Sequence, residues 1–579
     1  MCMARPSTSP RASNRSRKPA GIAVSQQVVD QVRRRVDLGF VSLGQPELKN
    51  IEASVTVYRV VMPWGERQPT LGERLRRTVP VRVRHAALIL GLVGAVAIVT
   101  GGAIRYINSH AVVADAATTT FAPPAHSLAV LPFANMSGDA TQEYFSDGLS
   151  EELLNALARI NELHVTARTS SFSFKGKDAD IATIARKLNV GAVLQGSVRR
   201  GQGKVRITAQ LIDAKSGYQV WSESYDRDLA DILALQTSIA EAVTSALQVK
   251  LFGKVADEVE LGGTRNPHAL DAYLKGVQLD VSASDGASFR ALVAAFDEAI
   301  AADPGYAGAY AARTRPLMLL PAFVGEDATA RSDFVARGRA SAQRAITLAP
   351  EFGRGHLALA RVLSEGDLDF PHAKNEYDRA LALSPGDSVT QRSFALYAAS
   401  LGHAASALVA AKKATELDPI NPRSHAVLGI VLLAARQYEA VIESAHRAVA
   451  LDPRVILAHY HAGAAYIALG KPREAVAECD AEPIGFWRNT CLAIAYRQIK
   501  EMSKAQDALK RLKVTGDANA YQIAEVHAQW GEADEALRWL NVAMRLKDGG
   551  LLGLKTDPML DPLRGDARFA AIEKALNFP

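Results

Sequence analysis

LDPINPRSHAVLGIVLLAARQYEAVIESAHRAVALDP, residues 417–453, begins and ends on the same Leu-Asp-Pro and holds two apolar-periodic stretches separated by Ala435-Arg436-Gln437. It reads as helix, turn, helix, and then the start of the same unit again. The pattern continues in both directions. Pro304, Pro350, Pro385, Pro419 and Pro453 each follow an alanine five residues earlier, namely Ala299, Ala345, Ala380, Ala414 and Ala448. Pro385, Pro419 and Pro453 stand 34 residues apart, Pro350 and Pro385 stand 35 apart, and the 46 between Pro304 and Pro350 is one period plus an insertion. Gly402, Arg436 and Gly470 keep the same 34-residue step. A small alanine lets two antiparallel helices approach closely, and a proline ends the second helix and opens the next unit.

Paired helices on this period, with Ala and Pro in these places, resemble the tetratricopeptide repeat (TPR) family. The resemblance implies an all-α TPR solenoid over residues 263–546, with five clear units and about two degenerate ones after Asp480. The tail DPMLDPLRGDARFAAIEKAL, within 547–579, is expected to cap the stack. A concave groove that binds a protein or peptide partner is what the resemblance implies for function. The repeat alanines and prolines, with Gly402 and Gly470, are structural positions, so no catalytic, cofactor-binding or metal-binding residue is assigned. His459 and His461 are two apart and point to different sides of a helix, which does not make a metal pair. Cys479 and Cys491 are each expected to be a small buried apolar residue, a bridge between them being the alternative.

Ahead of the repeats, strands and helices alternate. SLAVLPF reads as a buried strand, and Ser146/Asp147 as capping candidates for the helix GLSEELLNALARI. Asp180 can cap IATIARKL, and three strands and a long helix complete a β-α-β-α-β-β-β-α layer over 127–254. Asp139, Glu143 and Asp147 fall at i, i+4, i+8, yet without His or Cys they read as turn and cap residues rather than a metal cluster. The segments Ala129-Val130-Leu131-Pro132-Phe133, Glu143 to Leu149, Leu194 to Arg199 and Trp221 to Arg227 together resemble the TolB N-terminal-like domain that bacteria place before TPR arrays.

Across the 579 residues, 48% are hydrophobic and 22% charged, which excludes a wholly disordered chain. Lys+Arg 67 against Asp+Glu 61 gives +6, but residues 1–85 alone hold 16 basic and 6 acidic residues. The rest therefore holds 51 against 55, so no basic face for nucleic acid is spread over the main domains. Residues 1–18 read as disordered and 63–85 as a basic juxtamembrane segment. AALILGLVGAVAIVTGGAI, residues 86–104, has no charge over 19 residues and the length of a transmembrane helix. Arginines crowd its N-terminal flank, so the expectation is a single-pass inner-membrane protein with a cytoplasmic N-terminus. Residues 105–126 then read as a linker, and 105–579 as periplasmic.

Within 19–62, Gly21-Ile22, Ser25, Phe40, Leu43-Gly44, Leu48-Lys49-Asn50-Ile51 and Val57-Tyr58-Arg59-Val60 occur in order. They resemble the C-terminal segment of a class III adenylate/guanylate cyclase domain. Residues 1–18 contain no Asp or Glu, so the carboxylates that hold two catalytic metals in such enzymes have no counterpart there. A truncated or frameshifted coding sequence is the expected reason.

The expected fold class is thus multidomain: a single transmembrane helix, an α/β TolB-like domain and an all-α TPR solenoid. The expected function is a membrane-anchored scaffold or sensor of bacterial signal transduction, with no catalysis of its own. Its partners are a protein or peptide on the concave TPR face, the membrane and, as an option, a second copy in a homodimer; no cofactor and no nucleic acid is expected. The alternatives are a truncated or split transmembrane adenylate cyclase of cyclic AMP signalling, and a transcription regulator lacking its DNA-binding domain.

Overall fold

The computed structural model describes residues 23–32, 39–42, 44, 56–61, 121–201, 203–228, 231–249, 260–283, 285–320 and 328–578. They fall into two compact units, 1–120 and 121–579. In the first, β1 (Ala23–Ser25) leads into α1 (Gln26–Val32), and β2 (Gly39–Ser42) and β3 (Val57–Val61) follow. The strands form an antiparallel sheet in the order β1-β3-β2, against which Val29 is buried.

The expected transmembrane helix is corrected at this point. Among the described residues no helix is long and apolar enough to cross a membrane. The 86–104 stretch lies outside the described residues, as do 1–18 and 63–85, so neither the single-pass anchor nor the inner-membrane and periplasmic placement derived from it stands. Hydropathy and the arginines of the N-terminal flank had carried that expectation.

The second unit opens with an α/β layer. Its strands are β4 (Ser127–Val130), β5 (Ala134–Asn135), β6 (His164–Val165), β7 (Ala192–Gly201), β8 (Lys204–Asp213) and β9 (Gln219–Asp228). The sheet order is β6-β4-β7-β8-β9, with β5 on β7. β4 pairs in parallel with β6 and β7, whereas β7-β8-β9 is an antiparallel meander. Val205, Ile207, Ala209 and Leu211 alternate inward along β8, as a strand's two-residue side-chain period requires. The helices are α2 (Glu143–Ala158), α3 (Arg168–Phe172), α4 (Ile181–Leu188) and α5 (Ile232–Ala246). Asp180 accepts the Thr183 N–H at 2.7 Å and caps α4. Ser146 and Asp147 are not caps, because α2 begins earlier, at Glu143. Asp139 caps the short turn before α2 by accepting the Thr141 N–H, and Asp147 and Glu143 both hold Lys175 at 2.6 Å.

From α6 (Pro267–Ser282) onward the chain is helical. With α6 stand α7 (Gly286–Ala302), α8 (Ala307–Leu319), α9 (Ala328–Leu348), α10 (Gly353–Arg361), α11 (Phe370–Leu383), α12 (Ser388–Ser400) and α13 (Ala404–Leu417). They continue as α14 (Pro422–Ala434), α15 (Tyr438–Leu451), α16 (Ala458–Ala468), α17 (Pro472–Ala481), α18 (Gly485–Gln498), α19 (Met502–Leu512), α20 (Ala520–Gln529) and α21 (Ala533–Leu546). These form eight stacked pairs among the described residues, one more than the sequence count, and they make a TPR solenoid. Ala299, Ala345, Ala380, Ala414 and Ala448 are each 0% exposed near the end of a pair's second helix. Pro304, Pro350, Pro385, Pro419 and Pro453 lie in the turns that lead to the next first helix. Gly402 (φ +79°), Arg436 (φ +60°) and Gly470 (φ +69°) close the turn inside a pair in the left-handed region, which explains two glycines on that period.

The tail, with α22 (Ala567–Ala575), does more than cover the last pair. It folds back along the within-pair turns: Arg436 holds Asp561 at 2.7 Å, and Phe578 stacks on Phe370 with ring centroids 4.7 Å apart. Cys479 and Cys491 are joined by a disulfide with Cα atoms 5.4 Å apart, which corrects the expectation of two separate apolar residues. The short turn between α17 and α18 brings residues 12 apart face to face, and Gly463 leaves room, since a Cβ there would lie 2.5 Å from the Cys491 sulfur.

Candidate functional site

The first helices of the pairs share a register that fixes which side chains they turn inward. Positions four, seven and eleven after each repeat proline lie on one helical face, being spaced by three and four residues. In α10 they are Arg354, Leu357 and Arg361; in α12, Val389, Arg392 and Leu396; in α14, Arg423, Ala426 and Ile430. Gly308, Ala311 and Arg315 take these places in the unit before, and Leu457 the first of them in the unit after. All of these line one cavity of about 610 Å³.

The α/β layer walls the cavity on the side of the turns between pairs, through Glu151, Asn155, Ala158 and the 165–169 segment. The Ala167 N–H donates to the Leu417 carbonyl at 2.7 Å, and Ser170 donates to Asp418 through its backbone and hydroxyl. Gly386 lies close against the layer, since a Cβ there would stand 2.8 Å from the Ala158 carbonyl oxygen. Arg354 reaches across to the Asn155 side-chain oxygen at 2.7 Å, and the Tyr144 hydroxyl donates to Asp271 at 2.6 Å, with Arg200 on the same carboxylate at 2.7 Å.

Most charges in the cavity are matched. Arg168 pairs with Glu151, Arg315 with Asp280, and Arg361 holds Glu365 with two nitrogens at 2.9 and 3.2 Å. Asp418 accepts from Ser170 and Asn421. Burial pushes the Glu151 carboxyl up to about 7, opposed by Arg168. Two cations are left over. Arg392 reaches only the Ser424 hydroxyl, at 3.4 Å, and burial pushes its guanidinium down to about 10. Arg423 is also lowered, by the desolvation of the groove and then by the like charges of Arg315 and Arg361, although its side chain as a whole is exposed. Neither is in an ion pair among the described residues. Beside them Val389 and Leu396 are each 37% exposed to the open space.

None of these groove residues was singled out from the sequence, although fixed offsets from the repeat prolines would have found them. The residues that were singled out pack helices or make turns and do not line the cavity. His459 and His461 diverge: His459 pairs with Glu478 at 2.7 Å, while His461 is buried and pushed down to about 4 by desolvation.

Residues 124–242 match the family described as HilA/YgeH-like transcriptional regulator, second domain. A protein of Rhizobium meliloti (strain 1021) named "Putative adenylate cyclase 3" is 32% identical over 348 residues, covering 60% of this chain and 51% of that protein. The chain thus spans about half the length of the curated relative it matches. Among solved structures, the human IFIT1 dimer with m7Gppp-AAAA is similar at a TM-score of 0.34 and 16% identity, covering 54% of this chain and 77% of that one. PilF of Pseudomonas aeruginosa is similar at 0.29 and 14%, covering 37% and 97%. YrrB, described as a TPR protein with an unusual peptide-binding site, is similar at 0.26 and 17%, covering 37% and 97%. These likenesses are partial, and the TPR architecture rests on the helix pairs and register above.

Proposed function

We propose that the chain is a protein-interaction scaffold or sensor whose TPR groove, walled by the α/β layer, takes an extended peptide segment of a protein partner. The observation that carries the reading is the cavity of about 610 Å³ lined by five successive first helices, with exposed aliphatic side chains next to unpaired guanidiniums. Its size lies in the roughly 300–1,000 Å³ range of ligand clefts, and apolar walls with a few polar anchors are what such clefts use. In this reading the α/β layer is a TolB-like domain that shapes the groove, and the 19–62 segment resembles the C-terminal part of a cyclase domain. The test is to pan the full chain against an unbiased peptide display library. Enrichment of peptides that a Leu396→Lys, Ile430→Lys chain fails to retain is the expected result. No enrichment above that control would defeat the reading.

A second reading is favoured by the 32% identity to the Rhizobium meliloti protein: the chain serves a cyclic-nucleotide signalling enzyme. Cyclic AMP formed from ATP by the purified chain would support it, and no turnover with magnesium or manganese would count against it.

A further inference from the structure

Arg392 and Arg423 stand on adjacent first helices, α12 and α14, and neither makes an ion pair among the described residues. Arg392 is half-buried, with Asp418 and Asp387 acting on it only at longer range, and Arg423 is exposed along the groove. The other arginines of the groove already have acidic partners, Arg354 having both Asp387 at 3.9 Å and the Asn155 amide oxygen. Six arginines against five carboxylates leave the lining with one surplus positive charge, and the two guanidiniums without an ion pair mark where an anion fits. A planar guanidinium presents paired donors that match a carboxylate.

The size of the surplus restricts the anion. Asp280, Glu365, Asp387 and Asp418 also line the groove, so a nucleic-acid backbone, which brings a charge with every phosphate, meets repulsion as well as attraction. One carboxylate suits the balance. Position restricts it further. The lining continues on both sides of the arginines, to Gly308 in one direction and Leu457 in the other. A chain terminus would have to stop midway, whereas an acidic side chain within an extended segment need not. Leu396 and Ile430 sit one helical turn beyond Arg392 and two beyond Arg423, and offer packing for a neighbouring aliphatic residue.

We infer that the groove selects an extended peptide carrying an acidic side chain, recognised by Arg392 and Arg423, with an aliphatic residue beside it on Leu396 and Ile430. This rests on the peptide-binding reading and adds the chemistry of the ligand. The experiment takes the strongest peptide from the display library, synthesised with acetyl and amide ends, and its Glu→Gln or Asp→Asn counterpart. Each is titrated by fluorescence anisotropy onto the full chain, wild type and the Arg392→Gln, Arg423→Gln double variant. The charged capped peptide is expected to bind wild type at least about tenfold more tightly than its amide counterpart, and the double variant to erase that difference. Changing the peptide leaves the protein's fold untouched, so the first comparison stands even where the double variant is destabilised. Equal binding of the two peptides overturns the inference while leaving peptide binding intact. Binding that requires a free C-terminal carboxylate overturns the choice of a side chain. An unenriched library defeats the underlying reading.

Discussion

The Ser170 hydroxyl donates to the Asp418 carboxylate at 2.7 Å, and the Ser170 backbone N–H donates to the same oxygen at 3.0 Å. These residues are 248 apart in sequence, and their bonds fix α3 of the α/β layer to the turn between α13 and α14. Asp418 is buried, and removing it leaves buried donors without an acceptor. Asp418→Ala is expected to cost about 2–3 kcal/mol and to speed amide exchange over residues 166–173. Chemical denaturation and hydrogen exchange check this; unchanged stability and protection would mean that the contact does not hold the cavity wall.

Glu151 gives a pH dependence of definite sign. Burial lifts its folded-state carboxyl to about 7 from 4.5, so between these values the folded chain holds a proton that the unfolded chain releases. The group's contribution is present in full below pH 4.5 and is lost as pH rises through 7. Glu151→Gln should therefore gain on wild type as pH rises across this window, by on the order of 2 kcal/mol. Melting temperatures of both proteins at pH 4.5 and pH 7.5 measure it. A constant difference would show that Arg168 already neutralises the group.

Reduction should weaken the solenoid. The Cys479–Cys491 bridge closes a separation of 12 residues, and the loop-entropy relation for that length gives about 3 kcal/mol. Both cysteines are buried, so alkylation of Cys479 and Cys491 by iodoacetamide, read by peptide mapping apart from Cys2, should require reductant and partial unfolding. Gly463→Ala should destabilise independently, by about 1–3 kcal/mol, by pressing a methyl group onto the disulfide. A thermal midpoint unmoved by dithiothreitol contradicts the first claim.

At Gly386, alanine would set its methyl carbon 2.8 Å from the Ala158 carbonyl oxygen, across the junction of layer and solenoid. The expected cost is about 1–2 kcal/mol, with faster exchange at the end of α2. A substitution at Gly201, where an added Cβ meets nothing, serves as the control and should be close to neutral.

The solenoid was legible because its constraints repeat: a helix crossing tolerates only alanine at 380, 414 and 448, and the turns demand proline at 385, 419 and 453. The α/β layer was legible from the alternation along β8. The arginines of the groove were not, since nothing local distinguishes Arg392 from any solvent-facing helical arginine. Its meaning arises from acidic partners that reach Arg361 and Arg315 but not Arg392, and that pairing is set by packing. The bridge stood only as the alternative for a related reason, as only the α17–α18 turn makes the two cysteines neighbours. The 86–104 stretch shows the reverse hazard, in which an uncharged run and its flanking arginines suggested an element that no described helix supplies.

Hydrogen exchange of the full chain with and without the strongest library peptide tests the central claim most directly. Protection is predicted on the first helices α12 and α14, Ser388–Ser400 and Pro422–Ala434, with the second helices α13 and α15 unchanged. Protection confined to the second helices, or to the sheet β7-β8-β9, would contradict the account and place the ligand on another surface.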